Sequence, residues 1–370
     1  MLYSSTLLFG GDLIYQLIQL SPGALRIKIA NAKSQEKKRY IQALLLRDVS
    51  LLSFAIVYIT LFIKLFGSAN SSVAVASFCM IIAMHFVGFG YRASDSIVSL
   101  AIVLFIMFIG GIAWFALPTS LGFIANFLSL LLIIILTSAR PEFGNAGVYV
   151  FSYIFITGMT VTGMTVTGSL IKTRAIALIT VFTILSFIMI FKHSAFDSQH
   201  RLHHVFSQFN LQTKLKHWQL RLAFGVSSVI AIADWANINR PVWLGYACMS
   251  ILLPQSGGYL GRATHRFAGI VIGSILFVLS VTYLPEQWFF ILAPTAGFGL
   301  GLTINYFLHS VFNCFGALTL ATSIYGLSAS SELRIFDNGV GIFIALLCIL
   351  GFKIIQNVLH NIGQMQFKHA

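Results

Sequence analysis

IVSLAIVLFIMFIGGIAWFALPTSLGFIANFLSLLLIIILTS, residues 97–138, holds no charged side chain and divides at Pro118-Thr119-Ser120 into two apolar runs. A hydrocarbon core roughly 30 Å thick takes about 20 helical residues to cross, and each run is close to that length. Neither run alternates polar with apolar residues, as a strand facing a barrel lumen would, so a β-barrel is disfavoured. Working outward, comparable runs fill the chain. The expected spans are 49–66, 72–89, 97–116, 121–138, 147–168, 173–191, 219–236, 242–260, 266–284, 287–304, 306–327 and 338–356. The fold class that follows is an all-α integral membrane protein with about twelve transmembrane helices.

Composition agrees. Of 370 residues, 58% are hydrophobic and 9% charged, against roughly 25% charged in soluble domains. Mean hydropathy is +0.89, and the 34 Phe are spread along the chain, so the apolar excess is no single anchor on a soluble body. The N-terminal 24 residues lack a basic start and include Asp12, Gln16 and Gln19, which suggests an interfacial amphipathic helix rather than a cleaved signal peptide. The four Cys lie inside apolar runs without a CxxC pair and indicate neither a disulfide framework nor a thiolate metal site.

The net charge of +13 bears on topology rather than on nucleic-acid binding, because no basic stretch is interleaved with exposed aromatics. With the N-terminus in the cytoplasm, only Lys64, Lys172, Arg174, Arg240 and Arg334 of the 23 basic residues fall outside. The positive-inside rule therefore places both termini in the cytoplasm. The longest polar interruption organises the chain into an N-terminal cytoplasmic or interfacial segment (1–46), a first six-helix repeat (47–191), a basic, His-rich linker (192–218), a second six-helix repeat (219–357) and a cytoplasmic tail (358–370). An offset of 170 lays Arg92-Ala93 on Arg262-Ala263, Gly88 on Gly258 and Phe54 on Phe224. Two parallel repeats imply a crevice between the halves, where a midplane substrate site is expected.

Chemistry concentrates in Arg240-Pro-Val-Trp243-Leu-Gly-Tyr-Ala-Cys-Met-Ser-Ile-Leu-Leu-Pro254-Gln-Ser-Gly257-Gly258-Tyr-Leu-Gly261-Arg262-Ala-Thr-His265-Arg266-Phe-Ala-Gly269-Ile-Val-Ile-Gly273. Pro254 removes a backbone donor, and Gly257 and Gly258 let the chain leave helical geometry. Non-helical backbone at membrane depth must face protein or water. Arg262, His265 and Arg266 open the next helix, where donors and the positive helix end suit carboxylates. The same residues could instead end one helix and anchor the next at the interface. Gly269 and Gly273 form a small-xxx-small pair, read as a close helix contact. The repeated GMTVT at 158–167 supplies four Thr, again read as packing ahead of pathway lining.

This stretch resembles the fusaric acid resistance and aromatic acid exporter family, to which the plant aluminium-activated malate transporters look related. The resemblance rests on Trp243, Pro254, Gly257, Gly258, Arg262, Arg266, Gly269 and Gly273. The first half looks like a degraded copy that keeps Arg92 but has Ser96 and Val103 where Arg266 and Gly273 stand in the second. Full-length bacterial relatives often carry a large cytoplasmic domain where only some 27 residues stand here. The resemblance implies a bacterial inner-membrane protein and makes a homodimer plausible.

Charged residues within spans are costly and default to functional candidates. Lys64, Asp95, Asp234 and His85 qualify. The offset sets Lys64 opposite Asp234, consistent with an ion pair or a proton-coupling site. Trp235 and Trp243 flank Arg240, and either form an interfacial belt or stack on an aromatic substrate whose carboxylate Arg240 pairs. His200-Arg-Leu-His203-His204 mimics a di-iron oxygenase box, but the further boxes such enzymes need are lacking. No P-loop, HExxH or GxSxG is present. The reading is a non-enzymatic secondary exporter of organic anions, aromatic or hydrophobic carboxylates, driven by the proton gradient. The alternative is a passive organic-anion channel of malate-transporter type. The expected partners are a small organic anion and the lipid bilayer, with no nucleic acid, cofactor or metal.

Overall fold

Most of the expected apolar spans coincide with helices in the computed structural model, which describes residues 10–113, 116–138, 146–161, 167–193, 201–203, 213–238, 241–254 and 258–368. The helices are α1 (Gly10–Ile18), α2 (Pro22–Asn31), α3 (Ser34–Phe66), α4 (Ser71–Phe86), α5 (Ala93–Ala113), α6 (Thr119–Thr137), α7 (Ala146–Val161), α8 (Gly168–His193), α9 (Lys214–Trp235), α10 (Pro241–Leu252), α11 (Tyr259–Tyr283), α12 (Leu292–Leu302), α13 (Tyr306–Tyr325) and α14 (Leu327–Lys368). No strand occurs among the described residues, and seven helices have the length and apolarity to cross a membrane. The protein is an all-α, multi-pass membrane protein.

Helix ends are set by local chemistry. Ser21 and Thr213 accept hydrogen bonds from backbone amides in the first turns of α2 and α9, at 3.2 and 3.3 Å, satisfying donors that no helical carbonyl can reach. At 33 residues, α3 is about 50 Å long and outreaches the hydrocarbon core. Two expectations change. The span placed at 242–260 ends at Leu252, because Pro254 follows two residues later and helical geometry is disfavoured on its N-terminal side. The span placed at 287–304 is a 3-10 turn, Glu286–Ile291, that leads into α12.

The helices group into two compact units that do not coincide with the two sequence halves. The larger comprises Tyr58–Ala263 and Phe336–Ala370. Its core draws on α4 to α11 and on α14, with Leu100, Ile133, Tyr153, Val181, Leu222 and Leu244 all buried. Glycine lets its helices approach: a Cβ on Gly158 of α7 would come 2.5 Å from Val242 Cγ2 of α10. Among its buried polar groups, Tyr153 donates to Asn126 Oδ1 at 2.7 Å.

The smaller unit comprises Met1–Val57 and Thr264–Ile335. Here α11 lies against α13 along Gly269 and Gly273. Side chains at those positions would meet Ser310 and the Phe307 carbonyl in one case, Val311 and Cys314 in the other. The small-xxx-small pair is a packing device, as its spacing suggests. Leu17 and Leu25 of the first two helices are buried in a cluster with Ala43 and Leu44 of α3. All four Cys are free.

Candidate functional site

Between α10 and α11 in the larger unit, the chain breaks as Pro254 and Gly258 suggest. Gly258 has φ of +69°, which a residue with a side chain rarely adopts, and α11 begins at the next residue. A helix that stops at Leu252 leaves carbonyls without intrahelical donors. Three side chains meet a carbonyl of this last turn or those just beyond it. Arg262 donates through Nε and Nη2 to the Ser250 carbonyl at 3.3 and 3.1 Å, Trp218 Nε1 to Leu253 at 2.9 Å, and Arg221 Nη2 to Pro254 at 3.3 Å. The two guanidinium charges also oppose the partial negative charge at the end of α10. Gly257 lies outside the described residues.

A cavity of about 150 Å³ opens beside this break, lined by His217, Arg221, Tyr259, Ile349, Phe352, Lys353 and Gln356. Residues 349, 352, 353 and 356 share one face of α14, and 217 and 221 stand one turn apart on α9. Arg221 lies over the Tyr259 ring, 5.0 Å from its centroid, and its buried Nε has no hydrogen-bond partner among the described residues. Phe224 on α9 holds Phe352 at 6.0 Å between ring centroids. The cavity thus joins three basic side chains to two aromatic rings. A void of about this size accommodates one benzene ring, and guanidinium and ammonium groups are the natural partners of a carboxylate.

The residues singled out from the sequence are distributed differently. Arg262 is the clamp described above. Arg266, four residues further along α11, belongs to the smaller unit and is buried, whereas His265 is exposed. Arg92, the first-half counterpart of Arg262, is exposed just ahead of α5. Trp243 is buried at 4% exposure and Trp235 is 78% exposed, so the two do not form one belt. Arg240 lies outside the described residues. No ion pair joins Lys64 and Asp234 among the described contacts: both are exposed, and Asp234 Oδ2 accepts from Thr119 Oγ1 at 2.6 Å. Asp95, in the first turn of α5, accepts from the backbone amide of Leu202 at 3.0 Å and so ties down the linker. His85 lies 2.9 Å from Lys192 Nζ, while His193 Nε2 contacts the Met84 carbonyl at 2.7 Å.

Several polar residues were missed. Arg174, assigned to the outer side at the start of the span 173–191, is fully buried in α8, where it donates to the carbonyls of Ala69 and Gly111 and to Asn70 Oδ1 at 3.1 to 3.3 Å. Arg334, also assigned to the outer side, is buried in α14 and donates to Asn313 Oδ1 at 2.8 Å. Lys353 and Arg221 entered the reading only as cytoplasmic charges. The signal that could have found their cavity is the 349, 352, 353, 356 face, where a lysine and an amide stand beside a phenyl ring in an otherwise apolar stretch. Of the GMTVT repeat, residues 162–166 lie outside the described residues, as do His200 and His204 of the His box. No group of three metal-ligating side chains occurs among the described residues.

Residues 227–348 match the sequence profile of a family described as fusaric acid resistance protein-like. An 88-residue segment is 28% identical to an uncharacterized transporter, YdhK, of Escherichia coli strain K12, and equally to the same-named protein of strain O157:H7. That segment is 23% of this chain and only 13% of the length of either relative. No solved structure matches. Apart from Tyr259, the residues lining the cavity stand outside the profile match.

Proposed function

We propose that the protein is a secondary exporter that takes small organic anions, chiefly aromatic or hydrophobic carboxylates, from the cytoplasm across a bacterial inner membrane at the expense of the proton gradient. The observation that carries this reading is the cavity between α9, α11 and α14. Arg221 and Lys353 supply charge, His217 supplies ring nitrogens, and Tyr259 and Phe352 supply flat apolar surface. A benzoate-sized ligand uses both, its ring against the aromatic pair and its carboxylate toward the cations. By the positive-inside rule this end of the helices faces the cytoplasm, the side from which an exporter loads. Similarity to a named transporter supports transport rather than catalysis. Arg262 serves by holding the helix break that frames the cavity, and a homodimer is compatible with the reading.

Export of a panel of aromatic acids from cells making the protein, with and without an uncoupler, tests the proposal. Uncoupler-sensitive efflux of benzoate-like acids is expected. Efflux of the same acids that ignores the uncoupler would instead indicate a passive anion channel. Absence of carboxylate efflux under both conditions would refute both readings.

A further inference from the structure

In the smaller unit, α3 lies along α12 in a groove made by two glycines one turn apart. Gly297 faces Leu52, which a Cβ at position 297 would approach to 3.0 Å, and Gly301 faces the Asp48 carboxylate, which any side chain at 301 would strike. Leu52 and Asp48 are likewise one turn apart on α3. The first contact is ordinary apolar packing. The second puts an acid in a closely packed position. Asp48 is 3% exposed, and its Oδ2 has no hydrogen-bond partner among the described residues.

An ionised carboxylate in that position gives up its hydration without full replacement, which costs several kcal/mol per ion unless a counter-charge is well placed. Gly301 is in the last turn of α12, where the helix presents carbonyls, and that end disfavours a negative charge. Two charged groups oppose this. Arg47, itself 8% exposed, is adjacent in sequence, and Arg26 of α2 donates to the Leu302 carbonyl. Consecutive residues on a helix do not face each other, so Arg47 acts as a nearby charge rather than as a hydrogen-bonded partner. These opposed influences suit a group that exchanges a proton better than one that holds a fixed charge.

We infer that Asp48, seated against Gly301 at the end of α12, carries the proton that drives transport. Asp234, exposed and bonded to Thr119, has neither the burial nor the unsatisfied oxygen for that role. The inference rests on the proton-driven reading proposed above, and its test separates the two. In vesicles with an imposed pH difference, Asp48→Asn should lose gradient-driven benzoate accumulation by about tenfold or more while benzoate exchange stays within about twofold of wild type. Gradient-driven accumulation at the wild-type level in Asp48→Asn would overturn the inference. So would joint loss of both activities that Asp48→Leu restores, since that outcome marks a packing position. If Asp48→Asn does not reach the membrane, labelling of the wild type decides. A membrane-soluble carbodiimide adds to protonated carboxylic acids, and labelling of Asp48 should be strong in acid and fall as the pH rises. Labelling that is absent or independent of pH would refute the proton site. If the wild type moves no benzoate under any condition, the exporter reading fails, whereas the labelling still decides whether Asp48 exchanges protons.

Discussion

Arg174 and Arg221 are both arginines on helices of the larger unit, and both reach the carbonyls of neighbouring segments, yet their surroundings differ. Arg174 is fully buried, and three acceptors, two carbonyls and an amide oxygen, surround its guanidinium. Arg221 spends one nitrogen on the Pro254 carbonyl, keeps a buried Nε with no acceptor among the described residues, and lies over an aromatic ring at the edge of a cavity. A guanidinium carries five N–H donors, and whether the protein itself uses them separates an arginine that holds helices together from one that can hold a ligand. Arg262, with two nitrogens on one carbonyl, stands between these cases.

Removal of Arg174 should have the largest effect. Arg174→Leu leaves the Ala69 and Gly111 carbonyls and Asn70 without their donor in the protein interior, at roughly 3 kcal/mol or more. The variant should be scarce in the membrane and unfold at lower temperature in detergent. Arg174→Lys should restore little, because a point charge cannot reach three separated acceptors. Normal abundance of Arg174→Leu would break the comparison at its structural end.

Arg221→Gln should leave abundance nearly unchanged and reduce carboxylate export by about tenfold, the value of one charge-assisted contact. Arg221→Lys should recover part of it, the reverse of what is expected at Arg174. Lys353→Gln, which disturbs no described hydrogen bond, should reduce export by roughly threefold and isolates the effect of charge in the cavity. Arg262→Gln belongs between the two classes, with a moderate fall in both yield and export, by about half to several-fold, as the end of α10 loosens. Equal effects of Arg221→Gln and Arg262→Gln on yield would show that both serve only as helix caps. Asp234→Asn should have the smallest effect, about twofold or less on export, because an amide oxygen can still accept from Thr119.

The contrast also explains what could be read from the chain alone. Apolar runs such as 97–138 identify spans because burial in lipid constrains some 20 consecutive residues at once, and Pro254 with Gly258 marks a break through backbone geometry that acts locally. The seating of Arg174 depends on residues 69–70 and 111, about 63 to 105 positions away, and a charge near the end of an apolar run looks the same whether it is clamped or solvated. Asp48 lay one residue outside the span drawn at 49–66, so its burial against Gly301 could not be anticipated. The pairing of Lys64 with Asp234, one reading suggested by the 170 offset, is not among the described contacts, where both side chains are exposed. The cavity escaped notice for a related reason. Its walls come from α9, α11 and α14, and only their convergence brings His217, Arg221 and Lys353 together.

Equilibrium binding of radiolabelled benzoate to the purified full-length protein, wild type against Arg221→Gln with thermal unfolding measured in parallel, tests the central claim most directly. The account predicts saturable binding to wild type that weakens by about tenfold in Arg221→Gln at an unchanged unfolding temperature. Equal affinity in the two proteins, or no saturable binding to the wild type, would contradict it.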